Sequence, residues 1–185
     1  KRRLAASAGR PWDKGGTEGA GDPSAGVRMS TVDGVYFVEH VVRGQWSSGQ
    51  RNRVIRQTAE ADGVAVPIVL EQEPGSGGKE SAEISIRELA GFDVRAYPAT
   101  GDKVTRAGPL SAQAEAGNVR LVRAPWNEAF LAELHDFPDG GHDDQVDASS
   151  AAFNRLALAG GPLHIVSLDD VGADRARRVA LAWSA

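Results

Sequence analysis

Along this chain the apolar positions change period several times, and each change predicts an element. Residues 1–10 are basic, small and without pattern. A first strand is expected to end near Trp12-Asp13, where a glycine-rich run from Gly15 to Gly21 and then Pro23 turn the backbone. Ala25 to Ser30 and Val35 to Val42 read as two strands joined around Asp33-Gly34. So short a joint makes the pair an antiparallel hairpin. Ser47-Ser48 precede a polar stretch, Gly49 to Ala61, with Val54, Ile55 and Thr58 at helical spacing, which predicts a serine-capped helix stopped by Asp62-Gly63. Val64 to Leu70 is almost continuously apolar and predicts a strand buried on both faces.

The second half alternates. A helix is predicted for Glu80 to Leu89, with Ala82, Ile84, Ile86 and Leu89 as its apolar positions. A strand follows from Phe92 to Pro98, then a turn at Thr100-Gly101-Asp102-Lys103. Val104 to Ala116 predicts a helix interrupted at Gly108-Pro109, and Val119 to Val122 a short strand. Asn127 to His135 predicts a helix with Phe130, Leu131 and Leu134 inward. A last helix from about Asp143 to Leu158 would bury Val146, Ala148, Ala152, Phe153 and Leu156, with Gly160-Gly161-Pro162 ending it. The tail from Leu163 to Ala185 reads as a strand and an arginine-rich helix. The predicted fold is therefore α/β: a mixed central sheet with an early antiparallel hairpin, flanked by helices on both faces.

Composition narrows this only a little. The 185 residues suit one domain, residues 1–185, and 41% hydrophobic with 25% charged content is globular. The net charge of −4 provides no global basic field for nucleic acid, although basic residues can still cluster locally. No cysteine is present, which excludes disulfides and cysteine-ligated zinc. No apolar run approaches the ~18 residues of a membrane span.

Candidate chemistry changes the picture more. The stretch from Phe137 to Ala148 packs Asp139, His142, Asp143, Asp144 and Asp147 into nine residues. Acids this dense repel unless solvated or neutralised by a cation. Two other places offer carboxylates at strand ends: Asp13, and the pair Glu71 and Glu73. Open α/β sheets gather their sites at such ends. If the three places converge, they form an oxygen-rich, sulfur-free pocket suited to Mg²⁺ or Mn²⁺, and two such cations suit phosphodiester displacement. Each acid also has a plainer reading. Asp13 is a turn former, and Asp143 or Asp144 an N-cap at a helix start. Asp143 and Asp147 are four residues apart and would share a helical face. Gly75-Ser76-Gly77-Gly78-Lys79-Glu80 departs from the Walker pattern in spacing and at its last position. Lys79, Lys103 and Arg106 are candidates for phosphate contacts, and read equally well as solvated surface charges.

Five segments together resemble a known family, the C-terminal nuclease domain of the large terminase subunit of tailed bacteriophages. They are Trp12-Asp13 through Gly26; Glu71 to Ser76; Thr100 to Lys103 with Arg106-Ala107; Trp126-Asn127 with Phe130; and Phe137 to Ala148. They occur in family order over roughly residues 10–157, and the last is the most specific. The resemblance implies an RNase H-like fold and a metal-dependent endonuclease cutting concatemeric double-stranded phage DNA during genome packaging in the host bacterial cytoplasm. It maps the family's three acids onto Asp13, Glu71 and the Asp143/Asp144 pair, Asp144 first. Glu73 competes with Glu71, Asp147 is a supporting residue and His142 an auxiliary one. Implied partners are the terminase ATPase domain, the small terminase subunit and the portal. Alternatives within the same fold are a Holliday-junction resolvase or transposase-like enzyme, or a non-catalytic DNA-binding or docking domain. Two features depart from the family. Lys14-Gly15-Gly16 follows Asp13 where small or apolar residues are commoner, and no Walker A motif occurs. The ATPase motor is therefore expected to be absent, the chain being an excised domain or a remnant, and the role of residues 158–185 stays open.

Overall fold

The computed structural model describes residues 6–7, 9–15, 22–73, 75–98 and 100–159. The predicted strand and helix of the tail, the stop at Gly160-Gly161-Pro162, the turn residues 16–21 and Pro74 lie outside the described residues.

The elements run β1 (Ala6–Ser7), β2 (Arg10–Asp13), β3 (Ser24–Val32), β4 (Val35–Gly44), α1 (Ser48–Asp62), β5 (Ile68–Gln72), α2 (Ser76–Glu88), β6 (Val94–Pro98), α3 (Lys103–Glu115), β7 (Val119–Leu121), α4 (Asn127–Asp136) and α5 (Asp144–Ala159). The strands form one mixed sheet in the order β6-β5-β2-β3-β4-β7, with β1 pairing β3. The pairs β2–β3 and β3–β4 are antiparallel, while β2–β5, β5–β6 and β4–β7 are parallel. The predicted hairpin is present. Val32 pairs with Val35, and Asp33 and Gly34 both take positive φ, 55° and 81°. That is the two-residue turn whose twist matches a hairpin, and it needs residues that tolerate the left-handed region.

Side-chain alternation sends Trp12, Ile68 and Leu70 to one face, where Ile55 and Ala59 of α1 and the nearby Leu89 close a core. The other face buries Ala25, Val27, Met29 and Val38 beneath α3, α4 and α5, through Leu110, Phe130, Ala148, Ala152, Phe153 and Leu156. Helices thus cover both faces, as predicted. Gly26 lies opposite Trp12, and a Cβ there would meet the indole ring at 2.6 Å. The missing side chain is what lets the large ring lie across β3.

Several local expectations need correction. The apolar strand begins at Ile68 rather than Val64 and runs through Glu71 and Gln72. Val64 is 74% exposed in a turn, because only the parallel neighbours β2 and β6 provide ladder partners from Ile68 onward. The second helix starts at Ser76, so Gly77, Gly78 and Lys79 are its first turn rather than a loop. Ile84, Ile86 and Leu131 are substantially exposed, not inward. The third helix continues through Pro109. One missing N–H there is tolerated because Ala107 and Leu110 pack inward on either side of it. The serine cap of α1 is present as a capping box between Ser47 and Gln50.

Candidate active site

The register builds the site. Parallel pairing of Trp12 with Leu70 makes Asp13 and Glu71 the next neighbours, and Glu71 pairs in turn with Tyr97. Asp13, Glu71 and Tyr97 therefore form a row at the carboxyl ends of three adjacent parallel strands. Trp12 and Leu70 point into the core under α1, so alternation turns Asp13 and Glu71 to the opposite face, over which α5 lies. The first turn of α5 brings Asp144 and Asp147, both buried, against that row.

The charges feel one another. Burial above all, then the charges of Glu71, Asp144 and Asp147, push Asp13 up to about 8 against the pull of Lys103. Burial and then Asp147 raise Glu71, opposed by Arg106 and Lys103. Burial and then Glu133 push Asp144 up to about 6. Burial, then Glu71 and Asp13, hold the Tyr97 hydroxyl well above its ordinary range.

The structure separates the members of the acidic stretch. Asp144 is 2% exposed, and its Oδ2 is buried with no hydrogen-bond partner. Asp143 sits one residue before the helix, its carbonyl accepting from Asp147 N–H at 2.9 Å. Its carboxylate is partly exposed and accepts from Lys103 Nζ at 2.6 and 2.7 Å. Asp147 accepts from Arg106 at 2.8 Å and pairs with Lys103 at 3.3 Å. The predicted shared face of Asp143 and Asp147 is thus the face that meets α3. Lys103 and Arg106, the candidates for phosphate contacts, are paired with these acids in the structure. Asp102 caps α3 through Thr105 N–H at 2.8 Å, which makes Lys103 the first helical residue and aims it at α5. Glu73 lies just past β5 and lines a cavity with Asp13 and Glu71. His142 is exposed, and its Nδ1 stands 3.9 Å from the exposed Asp22. Lys79 is exposed on α2, with no carboxylate partner among the described residues.

Three contributors escaped the sequence reading. Tyr97 looked like an ordinary strand residue, and its place opposite Glu71 depends on sheet order. Glu133 of α4, 8% exposed, accepts from Gln145 N–H and Nε2, both at 2.6 Å, and pairs with Arg43 at 3.2 Å. It caps α5 in place of a local side chain and so fixes the start of the helix that carries Asp144. Arg51 of α1 lines the cavity beside Asp13, and its Nη1 donates to the Gly15 carbonyl at 2.8 Å.

Among the described residues, no three carboxylates or imidazoles stand together as an ion's cage. Asp143 and Asp147 are turned toward Lys103 and Arg106. The donor set nonetheless fits a hard divalent cation. It is all oxygen, its acids raise one another, and the buried Asp144 Oδ2 lacks a partner.

The family model described as "Terminase RNaseH-like domain" matches residues 10–156. The chain belongs to that family. Among solved structures, this terminase domain is similar to the large terminase nuclease of thermophilic phage G20c with bound zinc. Identity is 19%, 81% of each chain is covered and the TM-score is 0.62. It is similar also to the human cytomegalovirus terminase nuclease domain, manganese-soaked and inhibitor-bound. There identity is 11%, coverage 80% of this chain and 82% of that one, and the TM-score 0.60. For the nuclease domain of the bacteriophage SPP1 large terminase with bound manganese, the values are 14%, 80%, 84% and 0.54. At these identities the likeness establishes the RNase H-like fold. Comparison with curated proteins yields no match.

Proposed function

We propose that this terminase domain is a divalent-metal-dependent endonuclease of double-stranded DNA, the cutting part of a phage genome-packaging machine. The observation that carries the proposal is the convergence of Asp13, Glu71 and Asp144 at the strand ends of a chain in this family. Metals in the solved relatives support it.

In this reading Asp13, Glu71 and Asp144 hold Mg²⁺ or Mn²⁺, two ions in all, with Asp143, Glu73, Asp147 and His142 as further oxygen and nitrogen donors nearby. When bound, such cations polarise the phosphodiester and make a bound water acidic enough to attack. The chain's own residues do the rest. Lys103 and Arg106 hold Asp143 and Asp147 in place and offset the charge of the acid row. Glu133 fixes the turn that presents Asp144. DNA is gripped largely through its backbone, with Lys79, Lys103 and Arg106 as candidate contacts, since phosphate contacts carry no base information. The whole chain acts as one nuclease unit in the host bacterial cytoplasm. Its motor ATPase, small subunit and portal partners are those of a packaging machine.

The test is plasmid digestion with Mg²⁺ or Mn²⁺ by the wild type, Asp13→Ala and Asp144→Ala. Cutting is expected in the wild type alone, with a loss of at least ~100-fold in each variant. Metal-dependent cutting that survives both substitutions overturns the proposal.

A further inference from the structure

Beside the acid row, the carboxyl ends of β2 and β5 meet the first turns of α1 and α2 around an open cavity of about 220 Å³. Asp13, Glu71 and Glu73 form one wall, and Lys14, Arg51 and the hydroxyl residues Ser48 and Ser81 belong to the other. The cations here differ from Lys103 and Arg106, whose charge is already committed to Asp143 and Asp147 at 2.6 and 2.8 Å. Among the described residues, neither the half-buried Lys14 nor the buried Arg51 has a carboxylate within ion-pair distance. Arg51 is only 9% exposed; its Nη1 is fixed by the Gly15 carbonyl, and its Nε has no partner. A buried cation without a counter-ion is costly, and a bound anion removes that cost.

Backbone adds to this field. α1 begins at Ser48 and α2 at Ser76, and neither helix has an acidic residue in its first turn. Gly78, in the first turn of α2, lines the cavity directly. Its backbone packs against that of Glu73 so closely that no Cβ would fit, which brings the start of α2 up to the end of β5. Two positive helix ends, two cations and two hydroxyl residues thus face one space. Glu73 is the opposing charge, and its field reaches both Lys14 and Arg51. In the nuclease reading Asp13 and Glu71 are taken up by a divalent cation, which leaves Glu73 as the one lining carboxylate against two cations and two helix ends, and that balance favours an anion.

We propose that this cavity is a subsite for a backbone phosphate of DNA flanking the phosphodiester at the acid row, held by Lys14 and Arg51. The assignment rests on the nuclease reading for the identity of the substrate. It gives a purpose to the lysine that departs from the family pattern after Asp13.

The test measures duplex binding by the full chain in Ca²⁺ across a range of salt, for wild type, Lys14→Gln, Arg51→Gln and Arg51→Lys. Each lost phosphate contact lowers the slope of log affinity against log salt by about 0.9. Lys14→Gln and Arg51→Gln are expected to show that drop, Arg51→Lys to keep most of the slope, and Arg95→Gln on the exposed β6 surface to leave it unchanged. Inorganic phosphate at millimolar concentration is expected to compete with DNA in the wild type and not in the doubly substituted protein, which separates a general anion pocket from a surface effect. Should Arg51→Gln melt early, Lys14→Gln, whose side chain only lines the cavity, decides alone. An unchanged slope in Lys14→Gln overturns the subsite. A wild type that binds DNA with this slope yet cuts nothing overturns the nuclease reading and leaves the subsite standing.

Discussion

Asp143 and Asp144 are neighbours in sequence with opposite surroundings. The first is partly exposed and tied to Lys103; the second is buried, raised to about 6 and left with an unpartnered oxygen. A cation that replaces protons on Asp144 satisfies a buried acceptor, whereas on Asp143 it must first displace an ammonium. Asp144→Asn is therefore expected to weaken Mn²⁺ binding by at least ~10-fold, and Asp143→Asn by only a few-fold, in a calorimetric titration. Equal losses, or a larger loss for Asp143, reject this division. The sequence brought the two residues forward as a pair and ranked Asp144 first by resemblance. Its periodicity could not separate them, because the start of α5 is set by Glu133, eleven residues upstream of Asp144 on another helix. No local capping rule contains that contact.

At the scale of elements, one buried network ties β2, β3, β4 and α1 together behind the site. Arg10 on β2 is 2% exposed and donates to both oxygens of Asp62, at 2.6 and 2.9 Å. It donates also to the Gly26 carbonyl at 3.2 Å and lies 3.0 Å from His40 Nδ1, while Arg28 adds a bond to Asp62 at 3.2 Å. Burial alone would raise the Asp62 carboxyl. The hydrogen bonds and charge of Arg10, then of Arg28, reverse that and hold it below its ordinary value. A lowered carboxylate stabilises the fold at every pH above its unfolded value near 3.8, and that contribution disappears as pH falls through the folded value. Asp62→Asn is expected to cost about 3 kcal/mol in urea unfolding at pH 7, with a gap to wild type that narrows below pH 4. Equal stability at pH 7 would show that the network holds nothing together. In the sequence, Asp62 read as a helix stop and Arg10 as part of a featureless basic start. A pair 52 residues apart leaves no periodic trace. The hairpin turn, the serine cap and the buried stripe of α5 were legible because each is a local rule. The start of β5 and the outward turn of Leu131 were not, because sheet partners and neighbouring helices decide them.

For the molecule as a whole, the fold gathers negative charge at one edge of a chain already at −4, and that has a thermodynamic signature. With Asp13 raised to about 8, the folded protein holds a proton through the neutral range that the unfolded chain has released. Stability without metal must then fall as pH rises toward 8. The groups facing Asp13 set the size of the effect: Glu71, Asp144 and Asp147 enlarge it and Lys103 reduces it. His40, lowered by burial and then by Arg10, acts in the opposite sense below its ordinary value of 6.5, so the window to observe is pH 6.5 to 8. There the metal-free melting temperature is expected to decline, and Asp13→Asn to flatten the decline and gain on the order of 2 kcal/mol at pH 8. On the proposed reading, a divalent cation binds the native site and not the unfolded chain. At one hundred times its dissociation constant it stabilises by about 2.7 kcal/mol, and more effectively at higher pH, where fewer protons compete. Melts with and without Mn²⁺ at pH 6.5 and 8 test both statements. If the metal-free curve rises across this window, or if Mn²⁺ stabilises Asp13→Asn as much as wild type, the acid row is not the shared seat of proton and metal.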